Sequence, residues 1–177
     1  MREATADAHA RVDALMAHGF GDARGYRAYV SGMQGFVAAL LPAVRAQADA
    51  MRWPLPDWDG LLRQDMDHLQ ADAIDGIAPL PGCDRAAALG ALYVLEGSSL
   101  GARLLVRRAG ALGYGASDGA AFLHAHADGE AGKRWPAFLA LLESEHHPGT
   151  DAPACQAAGR AFDLAETCLR RAKECTQ

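Results

Sequence analysis

The chain has seven histidines, and one of them stands in a pattern. Arg2, Thr5, His9, Val12 and Met16 step by three and four residues, which on a helix aligns them in one stripe, cationic at one end and apolar at the other. A neutral imidazole in such a stripe is either a satisfied core histidine or a one-sided ligand for a metal or haem iron, and the spacing leaves both open. Gly90, Gly97 and Gly101 form a second pattern. Seven and four apart, they share one face of a helix, and that face offers backbone without side chains. Two glycines in adjacent turns cost a helix about 2 kcal/mol against alanine, so they need a reason. One reason is close helix packing or a kink, helped by Ser98, Ser99 and Ala102. The other is a flat or bulky ligand lying against bare backbone.

The other histidines suggest less chemistry. None forms an H-E-x-x-H or another metal-ligand spacing. His124 and His126 are two apart and point to different sides of a helix, His146 and His147 sit in a terminal turn, and His68 lies beside Asp67 on an exposed face. His18 falls at a helix end, where a cation is favoured. All six read as solvated or capping residues.

The elements that must position these groups are helices throughout. Residues 2 to 17 carry Ala8, Val12, Leu15 and Met16 at helical spacing, and His18-Gly19-Phe20-Gly21 ends that run. Asp22 can cap a second helix to about Ala50 with Pro42 as a kink, and Trp53-Pro54-Leu55-Pro56 stops it. Asp57 can cap a third over Leu61 to Leu69, and prolines make a loop of Ile74 to Gly82. A long helix follows from about Asp84 to Ala111, interrupted at Gly97-Ser98-Ser99-Leu100-Gly101. Ser117 or Asp118 can cap a short helix to about Ala127. Gly129 and Gly132 precede a helix over Trp135 to about Glu145, and Thr150 or Asp151 caps a last one to about Glu174. No segment alternates with period two for long enough to be a strand. The expectation is one all-α domain over residues 1 to 177.

Composition narrows the class of function. Lys plus Arg number 17 against 22 Asp plus Glu, a net charge of −5, which argues against a nucleic-acid partner. Half the residues are apolar and only 7% aromatic, so Ala, Leu and Val must fill closely packed helices. The longest apolar passages, Phe36 to Val44 and Ala86 to Leu95, fall short of the roughly 20 residues of a membrane span, so no insertion is expected. The charged start, Met1 to Asp7, has no signal-peptide character, and a cytoplasmic location is expected. Cys83, Cys155, Cys168 and Cys175 contain no C-x-x-C and read as reduced thiols.

The two patterns ask for one explanation, a ligand with a metal centre held between His9 and a bare helix face. At these residues the chain resembles the haem oxygenases. Arg2-Glu3-Ala4-Thr5-Ala6-Asp7-Ala8-His9 is similar to their N-terminal signature, a basic residue, E-A-T and the proximal histidine. Gly97-Ser98-Ser99-Leu100-Gly101-Ala102 is similar to their distal-helix motif as bacterial members carry it. Weaker similarity runs through Trp135 to Leu142, Glu145 to Pro148 and Ala158 to Phe162.

The resemblance implies a haem-oxygenase-like helical bundle with a kinked, glycine-containing distal helix, in which haem is both cofactor and substrate. It implies His9 as the iron ligand, with Gly97, Ser98 and Gly101 at the reacting face. Haem would also touch Val12 and Phe162, and Arg2 and Lys133 or Arg134 would pair with its propionates. Phe138 is a second candidate wall. The family's reaction takes O2 and electrons from a reductase, ferredoxin or small reductant and yields biliverdin, ferrous iron and CO, for iron release or for a bilin-accepting protein. Arg103, Arg107 and Arg108 offer a basic surface for an acidic electron donor. Two departures from the animal-type pattern stand out: Ser98 replaces an aspartate that organises distal water, and Ala102 replaces a glycine. The alternative is a non-catalytic haem-binding or haem-trafficking protein of the same fold. A bundle acting on another ligand, as thiamin-degrading relatives of this fold do, would need core carboxylates, and Glu96 is the only acid inside the apolar passage.

Overall fold

The computed structural model of the chain describes residues 1–17, 19–127, 129–147 and 149–175, the side chains of 129–131 excepted. His18 and Pro148 lie outside the described residues. A short 3-10 turn, Glu3–Thr5, leads into α1 (Ala6–Met16), and α2 (Ala23–Ala50), α3 (Trp58–Leu69), α4 (Arg85–Gly97), α5 (Ser99–Ala111), α6 (Ala121–Ala127), α7 (Gly129–Ser144) and α8 (Asp151–Cys175) follow. Among the described residues, β pairing is limited to isolated bridges from Gly115 to Asp118 and Gly119. The fold is all-α.

Local signals start three of the helices. The carboxylates of Asp22, Asp57 and Asp84 accept hydrogen bonds from the amides of Gly25, Gly60 and Ala87, at 2.8, 3.1 and 2.8 Å, satisfying N–H groups that the helix itself leaves without partners. Pro42 sits inside α2 without ending it. The long helix from Arg85 to Ala111 breaks at Ser98, as expected, with Ser98 both closing α4 and opening α5.

Three expectations change. The N-terminus of α6 is capped from another element: Asp65 of α3 accepts from the Ala121 amide at 2.7 Å and the Phe122 amide at 2.9 Å. Ser117 and Asp118 instead bond each other in the preceding turn. The seventh helix begins six residues before Trp135, so Pro136 lies inside it and not in its first turn. Finally, Arg85–Ala111 taken as one helix is long and apolar enough to cross a membrane, although no uninterrupted apolar run is; half of its most apolar stretch is buried inside the fold.

The core gathers around α8, which packs along α2 and α4. Tyr26, Phe36, Trp58, Leu92, Phe122 and Phe138 are fully buried in it. The α4–α8 contact explains Gly90, since a Cβ there would overlap the Ala154 carbonyl oxygen of α8. Of the three aligned glycines, this one serves helix packing. Helix α1 differs from the rest in having no fully buried residue. It rests on α8 through Arg11, which donates to Glu166 at 2.8 Å and Asp163 at 2.6 Å, and through the Lys173 ammonium on the Leu15 carbonyl at 2.5 Å.

Candidate functional site

A cavity of about 1330 Å³ separates α1 from α4 and α5, with α2, α7 and α8 closing its floor and ends. It exceeds the roughly 300–1,000 Å³ common for small-molecule sites. The two sequence patterns meet across it. His9 and Val12 line one side, Gly97, Ser98 and Gly101 the other, and Phe162 of α8 joins them. The large apolar side chains that stay most exposed, Leu100, Leu104 and Leu139, also line it.

His9 is held by its own helix. Its Nδ1 lies 2.9 Å from the Asp13 carboxylate one turn on, and its ring meets Phe162 edge-on at 5.5 Å. With Nδ1 engaged, Nε2 is the nitrogen left for a ligand. A carboxylate on the far nitrogen is the usual way a metal-binding imidazole is fixed in tautomer and orientation.

The glycines opposite are not there for packing. A Cβ on Gly97 would meet only the Trp135 ring, at an ordinary 3.5 Å, and a Cβ on Gly101 would meet nothing within 4 Å. The break between α4 and α5 is built by serines that bond back to their own helix: Ser98 Oγ to the Leu95 carbonyl at 2.7 Å, and Ser99 Oγ to the Glu96 carbonyl at 2.6 Å.

Of the three cations expected to pair with propionates, Arg2 lines the cavity, within electrostatic reach of Tyr93. Arg134 has a different partner. Its guanidinium grips Glu96 in a bidentate pair at 2.5 and 2.7 Å, donates to the Pro54 carbonyl at 2.7 Å, and lies 4.7 Å from the centroid of the Trp53 ring. Glu96 is 1% exposed and also accepts from Trp53 Nε1 at 2.7 Å. Burial pushes its carboxyl up and the Arg134 and Trp53 bonds pull it down. A cation so engaged is not available to a ligand. Lys133 is exposed and does not line the cavity.

Arg108 was expected on a docking surface but forms cavity wall, donating to the Met16 carbonyl at 3.2 Å near the end of α1 away from Arg2. Phe138 is fully buried core and does not face the cavity.

His126 departs from the solvated or capping role that its sequence position suggests. It is 3% exposed, stacked on Phe122 at 5.1 Å and edge-on to Trp58 at 5.4 Å. Its Nε2 lies 2.9 Å from Ser98 Oγ. Desolvation, with Arg134 adding to it, pulls its pKa down to about 4, so the ring is neutral near pH 7. Its helical offset of four from Phe122 was the one signal in the sequence that could have placed it on an inner face.

No family model matches the chain, and no curated protein matches it. Fold and site define an all-helical protein with a large cavity that carries His9 on one side, Gly97 and Gly101 on the other, and a second histidine, His146, in its lining.

Proposed function

We propose that the protein is a haem oxygenase, opening haem to biliverdin, ferrous iron and CO with O2 and electrons from an external donor. The observation that carries this reading is the pairing, across one cavity, of His9 with two glycines that helix packing does not require. A packing explanation would have put a neighbour where the Gly101 Cβ belongs, as it does at Gly90.

The chain's residues divide the work. His9 would ligate the iron through Nε2 while Asp13 fixes the ring. Gly97 and Gly101 would leave room for the porphyrin near the backbone of the break, and Val12, Phe162 and Trp135, which line the same cavity, would help exclude water from it. Arg2, seven residues and therefore two turns before His9, would pair with a propionate. Bound haem supplies the iron that reduces dioxygen and the ring carbon that is attacked. Iron release or bilin supply, a cytoplasmic setting and a reductase, ferredoxin or small reductant as donor belong to the same proposal.

Hemin titration tests it. We expect one hemin per chain and a Soret band that His9→Ala displaces; an unchanged band in that variant would remove His9 as the ligand. One observation favours a non-catalytic haem carrier instead: the bare face presents a serine and no carboxylate. Bound haem that survives reductant and air with its ring intact would select that reading.

A further inference from the structure

The break opposite His9 presents few polar side chains to the cavity, although Tyr93 and Arg108 line it further along α4 and α5. In the segment 97–101, Gly97, Ser98, Leu100 and Gly101 line the cavity, while Ser99 turns its hydroxyl back to the Glu96 carbonyl. Ser98 is thus the polar side chain of that face, and it is not alone. Directly behind it, away from the cavity, stands the buried His126.

The local hydrogen-bond arithmetic is constrained. Ser98 has one hydroxyl proton, with the Leu95 carbonyl at 2.7 Å and His126 Nε2 at 2.9 Å both in reach. A neutral imidazole has one N–H and one bare nitrogen. Either the hydroxyl donates to Leu95 and accepts from His126, or it donates to His126. In both arrangements the oxygen keeps at least one lone pair for a third partner. The ring itself cannot swing away, because Phe122 stacks on one side and Trp58 meets it edge-on. A buried polar side chain with this much support, at the break of a helix that faces a large cavity, does more than fill space.

We propose that His126 is a positioning residue: through its hydrogen bond it fixes the Ser98 hydroxyl as the point on the Gly97–Gly101 face where a water is held beside the substrate, ready to supply protons. The role rests on the haem reading above. It assigns to a neutral serine–histidine pair, reached from α6, the water-holding that a carboxylate on this face would otherwise perform.

The test uses hemin as the probe and five chains: wild type, Ser98→Ala, His126→Phe, His126→Gln and the double variant Ser98→Ala/His126→Phe. His126→Phe keeps the ring contacts to Phe122 and Trp58 and removes the nitrogen, whereas His126→Gln returns a hydrogen-bonding group near Nε2. We expect all five to bind hemin with similar affinity. Ser98→Ala and His126→Phe should each slow ring opening by on the order of tenfold and enlarge the solvent deuterium isotope effect, with the double variant no slower than either single one. The C–O stretching band of the reduced, CO-treated haem complex should shift alike in both, and His126→Gln should recover rate and band in part. In the haem-free protein, Ser98→Ala should move the His126 ring-nitrogen resonances. Ser98→Ala removes one oxygen only, so it carries the test even if His126→Phe does not fold. Wild type that opens hemin at the same rate and with the same C–O band as Ser98→Ala overturns the role of the pair and leaves the haem reading standing. Wild type that binds no hemin overturns the haem reading and this inference with it.

Discussion

The two sides of the cavity are built by different physics. On the His9 side, α1 has no fully buried residue and is tied to α8 by Arg11, Glu166 and Asp163 near the surface, with His9 itself braced by an exposed Asp13. On the glycine side, the α4–α5 break stands on buried polar groups: Glu96 held by Arg134 and Trp53, Ser98 backed by His126, and α6 anchored by Asp65. Exposed ion pairs contribute little because water already solvates both charges, while a buried pair must stay complete or leave a desolvated charge behind. The contrast assigns adaptability to the side with the candidate ligand and rigidity to the face that must stay bare and correctly placed.

The strongest way to break the contrast is Glu96→Ala. Removing one partner of a buried pair costs about 3–5 kcal/mol, so a fall in Tm of roughly 10 °C is expected in calorimetry. A loss of only a degree or two would mean that the glycine side is no stiffer than α1.

Acid titration sharpens it next. His126 has its folded pKa lowered to about 4 from 6.5. Between those values the unfolded chain binds a proton that the folded chain refuses, so stability falls as pH drops from about 6.5 to about 4, by up to about 3 kcal/mol. Asp65 and Glu96, whose carboxyls are raised by burial, work in the opposite direction on the same titration. The clean measurement is therefore the difference between wild type and His126→Phe in urea unfolding across that range. A difference that does not change with pH would deny the buried neutral state.

The glycines divide along the same line. Gly90→Ala forces a methyl onto the Ala154 carbonyl and should destabilise by about 1–3 kcal/mol. Gly101→Ala meets open space and should stabilise by up to about 1 kcal/mol through helix propensity. Equal effects at the two positions would erase the distinction between a packing glycine and a site glycine. The smallest effect belongs to the His9 side: Arg11→Ala should leave Tm nearly unchanged, and a large drop would show that α1 is clamped as firmly as α4.

How much of this was legible in the residues follows from how far each interaction reaches along the chain. Asp22 and Asp57 cap helices three residues away, and the break at Ser98 is written in adjacent Gly and Ser, so pattern and composition suffice. The stripe through His9 and the glycine face are likewise periodicities within single helices. The Asp65 cap of α6 spans 56 residues, Arg134 finds Glu96 across 38, and His126 finds Ser98 across 28. Nothing local marks such pairs. His126 is surrounded by alanines and another histidine, and only the approach of Trp58 and Phe122 makes its surroundings apolar. Arg134 shows the same limit from the other side: a guanidinium beside a candidate pocket has the right chemistry for a propionate, yet the nearer carboxylate claims it.

The central claim is that the cavity between His9 and the Gly97–Gly101 face holds haem for ring opening. A single-turnover spectrum tests it most directly: hemin-loaded protein is given a reductant under air and followed in the visible range. The account predicts that the Soret band disappears as a biliverdin absorption rises, in wild type and not in His9→Ala. Haem that stays intact in wild type, or biliverdin formed equally well by both chains, would contradict it.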